Sequence, residues 1–111
     1  MRSRVDDAEM RGCMIRHANR FGISTQTLGG TYAVPPGSPH ILMLDTGGVA
    51  RNVTMPANPR KGEFYYVFNT SAGAFALTLQ DSAGGAMVPA ASVAQNGMMM
   101  VVWSGTAWKH N

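Results

Sequence analysis

Cysteine is almost missing from these 111 residues: Cys13 stands alone, so no disulfide forms within the chain and no second Cys/His pair completes a structural zinc site. Acids are nearly as scarce, with six Asp and Glu in all. Asp6, Asp7 and Glu9 lie near the N-terminus, while Asp45, Glu63 and Asp81 flank expected strands, where turn formation accounts for them without a general acid or base. Charged residues make up only 14% of the chain, against about 25% in ordinary soluble domains. A surface this poor in charge calls for a cover, and a sister subunit or a larger assembly is the simplest one.

Other absences narrow the function classes. His17, His40 and His110 share no motif, and Cys13 with His17 has no orienting third group, so neither a metal site nor a nucleophilic pair is expected. The Gly-Gly pairs at 29–30, 47–48 and 84–85 lack the Lys-Ser/Thr ending of a phosphate-binding loop and read as turns. The chain is expected not to be an enzyme and to need no cofactor. No apolar stretch approaches the roughly 18 residues that span a bilayer, and the N-terminus lacks the apolar core of a secretory signal. Synthesis in a host cytoplasm is the expectation, with no membrane partner and with Asn52 and Asn69 unglycosylated despite their sequons.

What is present is 13 Gly, 9 Met and a rhythm of short apolar runs between breakers. Residues 1–30 differ from the rest. They hold Arg2, Arg4, Arg11, Arg16 and Arg20, show no period-two pattern and end at Gly29-Gly30. We read them as an extended arm, with a short helix from Ser3 through about Asn19. The net charge of +3 is concentrated there, but acids dilute it and Phe21 is its first aromatic, so direct nucleic-acid binding is not expected.

Residues 31–111 read as one β-domain. Strands are expected over residues 31–34, 40–45, 49–55, 63–69, 74–80, 98–103 and 106–110, each stopped by Gly, Pro, Asn or Ser. In the run 63–69, Phe64, Tyr66 and Phe68 share one face and Tyr65 and Val67 the other, which marks a central strand. The Thr70-Ser71-Ala72-Gly73 connection predicts an antiparallel hairpin between this strand and 74–80. The Ser104-Gly105 turn predicts a second hairpin, with Trp103 facing Thr106 and Val101 facing Trp108, so that both tryptophans share a surface. Paired cross-strand aromatics are usually packing, and a sugar-binding platform is the functional alternative. At least one of Met98, Met99 and Met100 must point away from the core and offer a contact.

These runs carry a resemblance. Val53-Thr54-Met55-Pro56-Ala57, then Gly62 through Asn69, then Leu77-Thr78-Leu79, then Gly97 through Trp103, closing on Ser104-Gly105-Thr106-Ala107-Trp108, resemble small β-structured virion proteins of tailed bacteriophages, in particular head-decoration or capsid cement proteins. The resemblance implies an all-β fold, a single antiparallel β-sandwich or jelly-roll-like domain. It further implies a structural virion protein on the outer capsid surface, a homo-oligomer with trimers favoured, that bridges subunits of the major capsid protein and stabilises the capsid. The five arginines of the arm would then bind capsid carboxylates, and Phe64, Tyr66, Phe68, Trp103 and Trp108 would serve packing or an interface. The alternative within the class is a tail-fibre or spike domain, in which Trp103, Trp108, Tyr65 and Tyr66 contact a host-surface glycan.

Overall fold

The computed structural model describes residues 22–111, and the five arginines assigned to the arm lie outside them. The described residues are all β, with no helix, and form two mixed sheets. The strands are β1 Ile23–Thr27, β2 Tyr32–Ala33, β3 Ile41–Asp45, β4 Arg51–Thr54, β5 Phe64–Asn69, β6 Leu77–Gln80, β7 Ala86–Val93, β8 Met98–Trp103 and β9 Trp108–His110. The five-stranded sheet has the order β1-β3-β5-β8-β9 and the four-stranded sheet β2-β4-β6-β7.

Through β6 the chain alternates between the sheets, and each strand lies parallel to the strand two before it. Each odd–even pair is therefore one rung of a coil. Ile23 aligns with Ile41 and Ile41 with Tyr66 in one sheet, while Tyr32 aligns with Val53 and Val53 with Leu79 in the other. Three antiparallel ladders, β5–β8, β6–β7 and β8–β9, then finish the two sheets. At that end His110 Nε2 lies 2.8 Å from the Pro89 carbonyl oxygen and ties β9 to β7 across the sheets.

This topology corrects several expectations. The sheets are mixed, not antiparallel. The 63–69 and 74–80 strands do not form a hairpin: β5 and β6 lie in different sheets, because Asn69 bends the connection. Its Oδ1 accepts the Ser71 N–H at 3.0 Å, and its Nδ2 donates to the Phe75 carbonyl at 2.7 Å and to the Val93 carbonyl at 2.9 Å. Ile23–Thr27, counted above with the arm, is an edge strand of the larger sheet. Strand β7 had no counterpart in the sequence reading; Pro89 sits where β7 skips from Ala86 opposite Gln80 to Ala91 opposite Leu79, a bulge that needs no ladder N–H from it.

The C-terminal hairpin forms, with its register shifted. Trp103 pairs with Trp108 and Val101 with His110, because Ser104 to Ala107 closes as a four-residue turn. Ser104 Oγ accepts the Ala107 N–H at 3.1 Å, and the Ser104 N–H donates to the Ala107 carbonyl at 3.0 Å. The shared tryptophan surface survives the shift, with ring centroids 5.5 Å apart.

One core lies between the sheets. Leu42, Leu44, Tyr65, Val67 and Val101 enter from the larger sheet and Val53, Leu77, Leu79, Ala91 and Val93 from the smaller, all buried. Period-two alternation produces this directly, since inward positions alternate along every strand. A buried polar cluster closes one end. The Thr46 N–H donates to Ser71 Oγ at 3.0 Å, and that hydroxyl donates to Thr46 Oγ1 at 2.9 Å. No buried side-chain polar atom among the described residues lacks a partner, as a dry core requires.

Candidate interaction surfaces

The two sheets turn different faces outward. On the smaller sheet the outward positions are Asn52, Thr54, Thr78, Gln80 and Ser92, joined on its two edge strands by Ala33, Ala86, Ala90 and Val88, the last 78% exposed. On the larger sheet they are largely apolar. One row across the strands reads Ile23, Ile41, Tyr66, Met100, and the next Thr25, Met43, Phe68, Met98. Phe64 and Val102 extend the face at one end, beside Lys109 on β9; Asp45 and Thr27 end it at the other. Ile23 is 58% and Met98 45% exposed, and the large apolar side chains between them are half-buried.

A contiguous apolar face on an otherwise solvated body marks an interaction site. The face also has structure. Phe64 meets Tyr66 edge-on at 5.8 Å, and the His40 ring stacks on Phe64 at 4.1 Å with the two planes nearly parallel, 5° apart. Such contacts hold rings in place before any partner arrives, which lowers the ordering cost of binding.

A second feature is a cleft of about 650 Å³ at the C-terminal end, lined in part by Asn58, Asp81, Ser82, Met87, Trp103 and Lys109. Its floor is built by β8 and β9. Trp108 is 3% exposed and donates its Nε1–H to Ser82 Oγ at 3.1 Å, so it is committed to the core and Trp103, half-buried, presents the open aromatic surface. Asp81 Oδ1 accepts N–H groups of Ala83 at 3.0 Å and Gly85 at 2.8 Å, which folds the rim.

The sequence-derived residues thus separate. Phe64, Tyr66 and Phe68 gather on the outer sheet face; Trp103 and Trp108 gather at the cleft. Tyr65, offered for glycan contact, is fully buried and donates its hydroxyl to Glu63 Oε2 at 2.6 Å, so it contacts no ligand. The expected outward methionines are Met98 and Met100, while Met99 packs against the core. Sequence reading missed the partnership of Ile23, Ile41 and Met43 with these rings. Their signal was an apolar residue at every position of residues 41–44, which marks two covered faces.

Asp45 Oδ1 accepts the Gly47 N–H at 2.9 Å, and Glu63 Oε1 accepts the Arg60 N–H at 3.5 Å, so both carboxylates bond to turn backbone. Among the described residues no three His, Cys, Asp or Glu side chains gather as metal ligands, and no helix is long and apolar enough to cross a membrane.

No family model and no curated protein matches this chain. A chain in a solved structure described as "Structure of a chaperone-substrate complex" is similar in fold, with a TM-score of 0.54 and 10% identity. The match covers 79% of the present chain and 17% of that one, so the present chain spans less than a fifth of its length. At this identity the likeness concerns the fold alone.

Proposed function

We propose that the chain is a structural virion protein that binds the outer surface of a phage capsid and bridges major capsid subunits. The observation that carries the reading is the apolar platform that the larger sheet turns outward, as in a subunit built to be covered. The resemblance of the 53–108 motifs to head-decoration proteins supplies the class. In this reading the two sheets pack in the manner of a β-sandwich, along a coiled path that differs from the jelly-roll order. The arginines Arg2, Arg4, Arg11, Arg16 and Arg20 bind carboxylates of the major capsid protein, in keeping with the bidentate geometry of guanidinium.

Electron microscopy of particles of the virus that encodes the chain tests this. Density for the domain at regular sites on the outer capsid, lost when its coding sequence is deleted, is the expected result. Normal density at the tail tip and none on the head would reject it.

The cleft favours a second reading, a fibre or spike domain that binds a host-surface glycan. Half-buried Trp103 offers a stacking face beside Asn58 and Asp81, the amide-and-carboxylate chemistry that hydrogen-bonds sugar hydroxyls. Trp103→Ala should then abolish retention on host polysaccharide while the fold persists.

A further inference from the structure

We infer that the C-terminal cleft binds an anionic saccharide, a sugar whose carboxylate or sulfate meets Lys61 and Lys109 while its apolar face lies on Trp103. The inference rests on the glycan reading of the cleft and adds the charge of the ligand.

The first observation is where the cations lie. Residues 22–111 contain four Arg and Lys, and three of them border this one feature. Lys109 lines the cleft from edge strand β9, directly after Trp108. The Lys61 side chain runs along the turn that closes the C-terminal hairpin, its Cγ and Cδ 3.5 Å from the point a Cβ on Gly105 would occupy, and Gly105 lines the cleft. Arg60 follows Pro59, another lining residue. The fourth cation, Arg51, is engaged elsewhere, its Nε donating to the Thr46 carbonyl at 3.0 Å.

The second observation is that these three cations lack partners and the nearby acids do not. Among the described residues no ion pair or side-chain hydrogen bond engages Arg60, Lys61 or Lys109. Asp81 Oδ1 already accepts two backbone N–H groups, and Glu63 accepts the Tyr65 hydroxyl on Oε2 and the Arg60 N–H on Oε1. The unmet demand is for an anion, and cations around a concave wall concentrate one there. The third observation is the wall itself. Half-buried Trp103 is held by Trp108 at 5.5 Å, and the volume of about 650 Å³ suits a small ligand. A bare anion would leave the indole unused and a neutral sugar the cations; an anionic sugar uses both.

Binding of the full chain to matched polymers tests this: polygalacturonate against its carboxyl-reduced form, and dextran sulfate against dextran. In at least one pair the charged member should bind about tenfold or more tightly than the neutral one, as one charge-assisted hydrogen bond predicts. Combining Lys61→Gln with Lys109→Gln should erase that preference, while Trp103→Ala should weaken both members alike. Polyglutamate, which has charge but no sugar ring, should compete at least about tenfold less well. Circular dichroism confirms that each variant is folded. Equal binding within both pairs, a preference that survives the double lysine variant, or full competition by polyglutamate would overturn the inference and leave the glycan reading standing. No binding to any of the four polymers would overturn both. Microscopy of the particle reads the capsid location independently.

Discussion

Replacing Asn69 probes the joint on which the coil turns. Its side chain is 1% exposed and makes three hydrogen bonds: to the Phe75 carbonyl at 2.7 Å, to the Val93 carbonyl at 2.9 Å and from the Ser71 N–H at 3.0 Å. Together they join β5, the crossing loop and the end of β7. Asn69→Ala leaves two acceptors and a donor without partners, and each stranded buried group costs about 1–3 kcal/mol. The Val93 carbonyl and the Ser71 N–H lie in buried surroundings, whereas half-buried Phe75 has some access to water, so the sum should be about 3–5 kcal/mol. Asn69→Asp should be worse at neutral pH, since a carboxylate would face two carbonyl oxygens. Protonation restores one donor, so that variant should gain stability as pH falls from neutral, the direction expected where the folded state binds the extra proton. Urea unfolding followed by the fluorescence of Trp103 and Trp108 measures both effects. A loss below about 1 kcal/mol in Asn69→Ala would show that the joint is held by packing and would refute the reasoning.

Other perturbations follow from the same packing. Trp108→Ala removes a buried indole, its contact with Trp103 and its bond to Ser82, and should cost about 3–5 kcal/mol in the same unfolding experiment. Gly47→Ala should cost about 2–4 kcal/mol in chemical denaturation, because Gly47 has φ of +77° and a Cβ there would lie 2.5 Å from the Leu28 carbonyl oxygen. Truncation before residue 21 should leave the described fold intact by circular dichroism. Truncation through residue 30 should lower Tm by more than about 10 °C, since it also removes β1, buried Leu28 and its 2.8 Å bond to the Asp45 carbonyl.

Local signals were legible wherever one short run decided them. The doubled apolar pattern of residues 63–69 marked β5 as central, and β3 and β8 flank it. The breakers set strand ends to within a few residues. The candidate surface was half legible: Phe64, Tyr66 and Phe68 were on one face by period two, but their neighbours across the sheet come from β3 and β8, remote in the chain.

What the amino-acid sequence determined by itself is the class of structure: short strands, tight turns and alternating faces. Tertiary structure alone decided which strands meet. The loop after β5 had the length of a hairpin, and only the buried bonds of Asn69 and Ser71 to groups far along the chain turned it across to the other sheet. Side-chain periodicity reports the face of each residue, whereas strand order depends on where distant partners satisfy buried polar groups, and that choice is made only when the whole core closes.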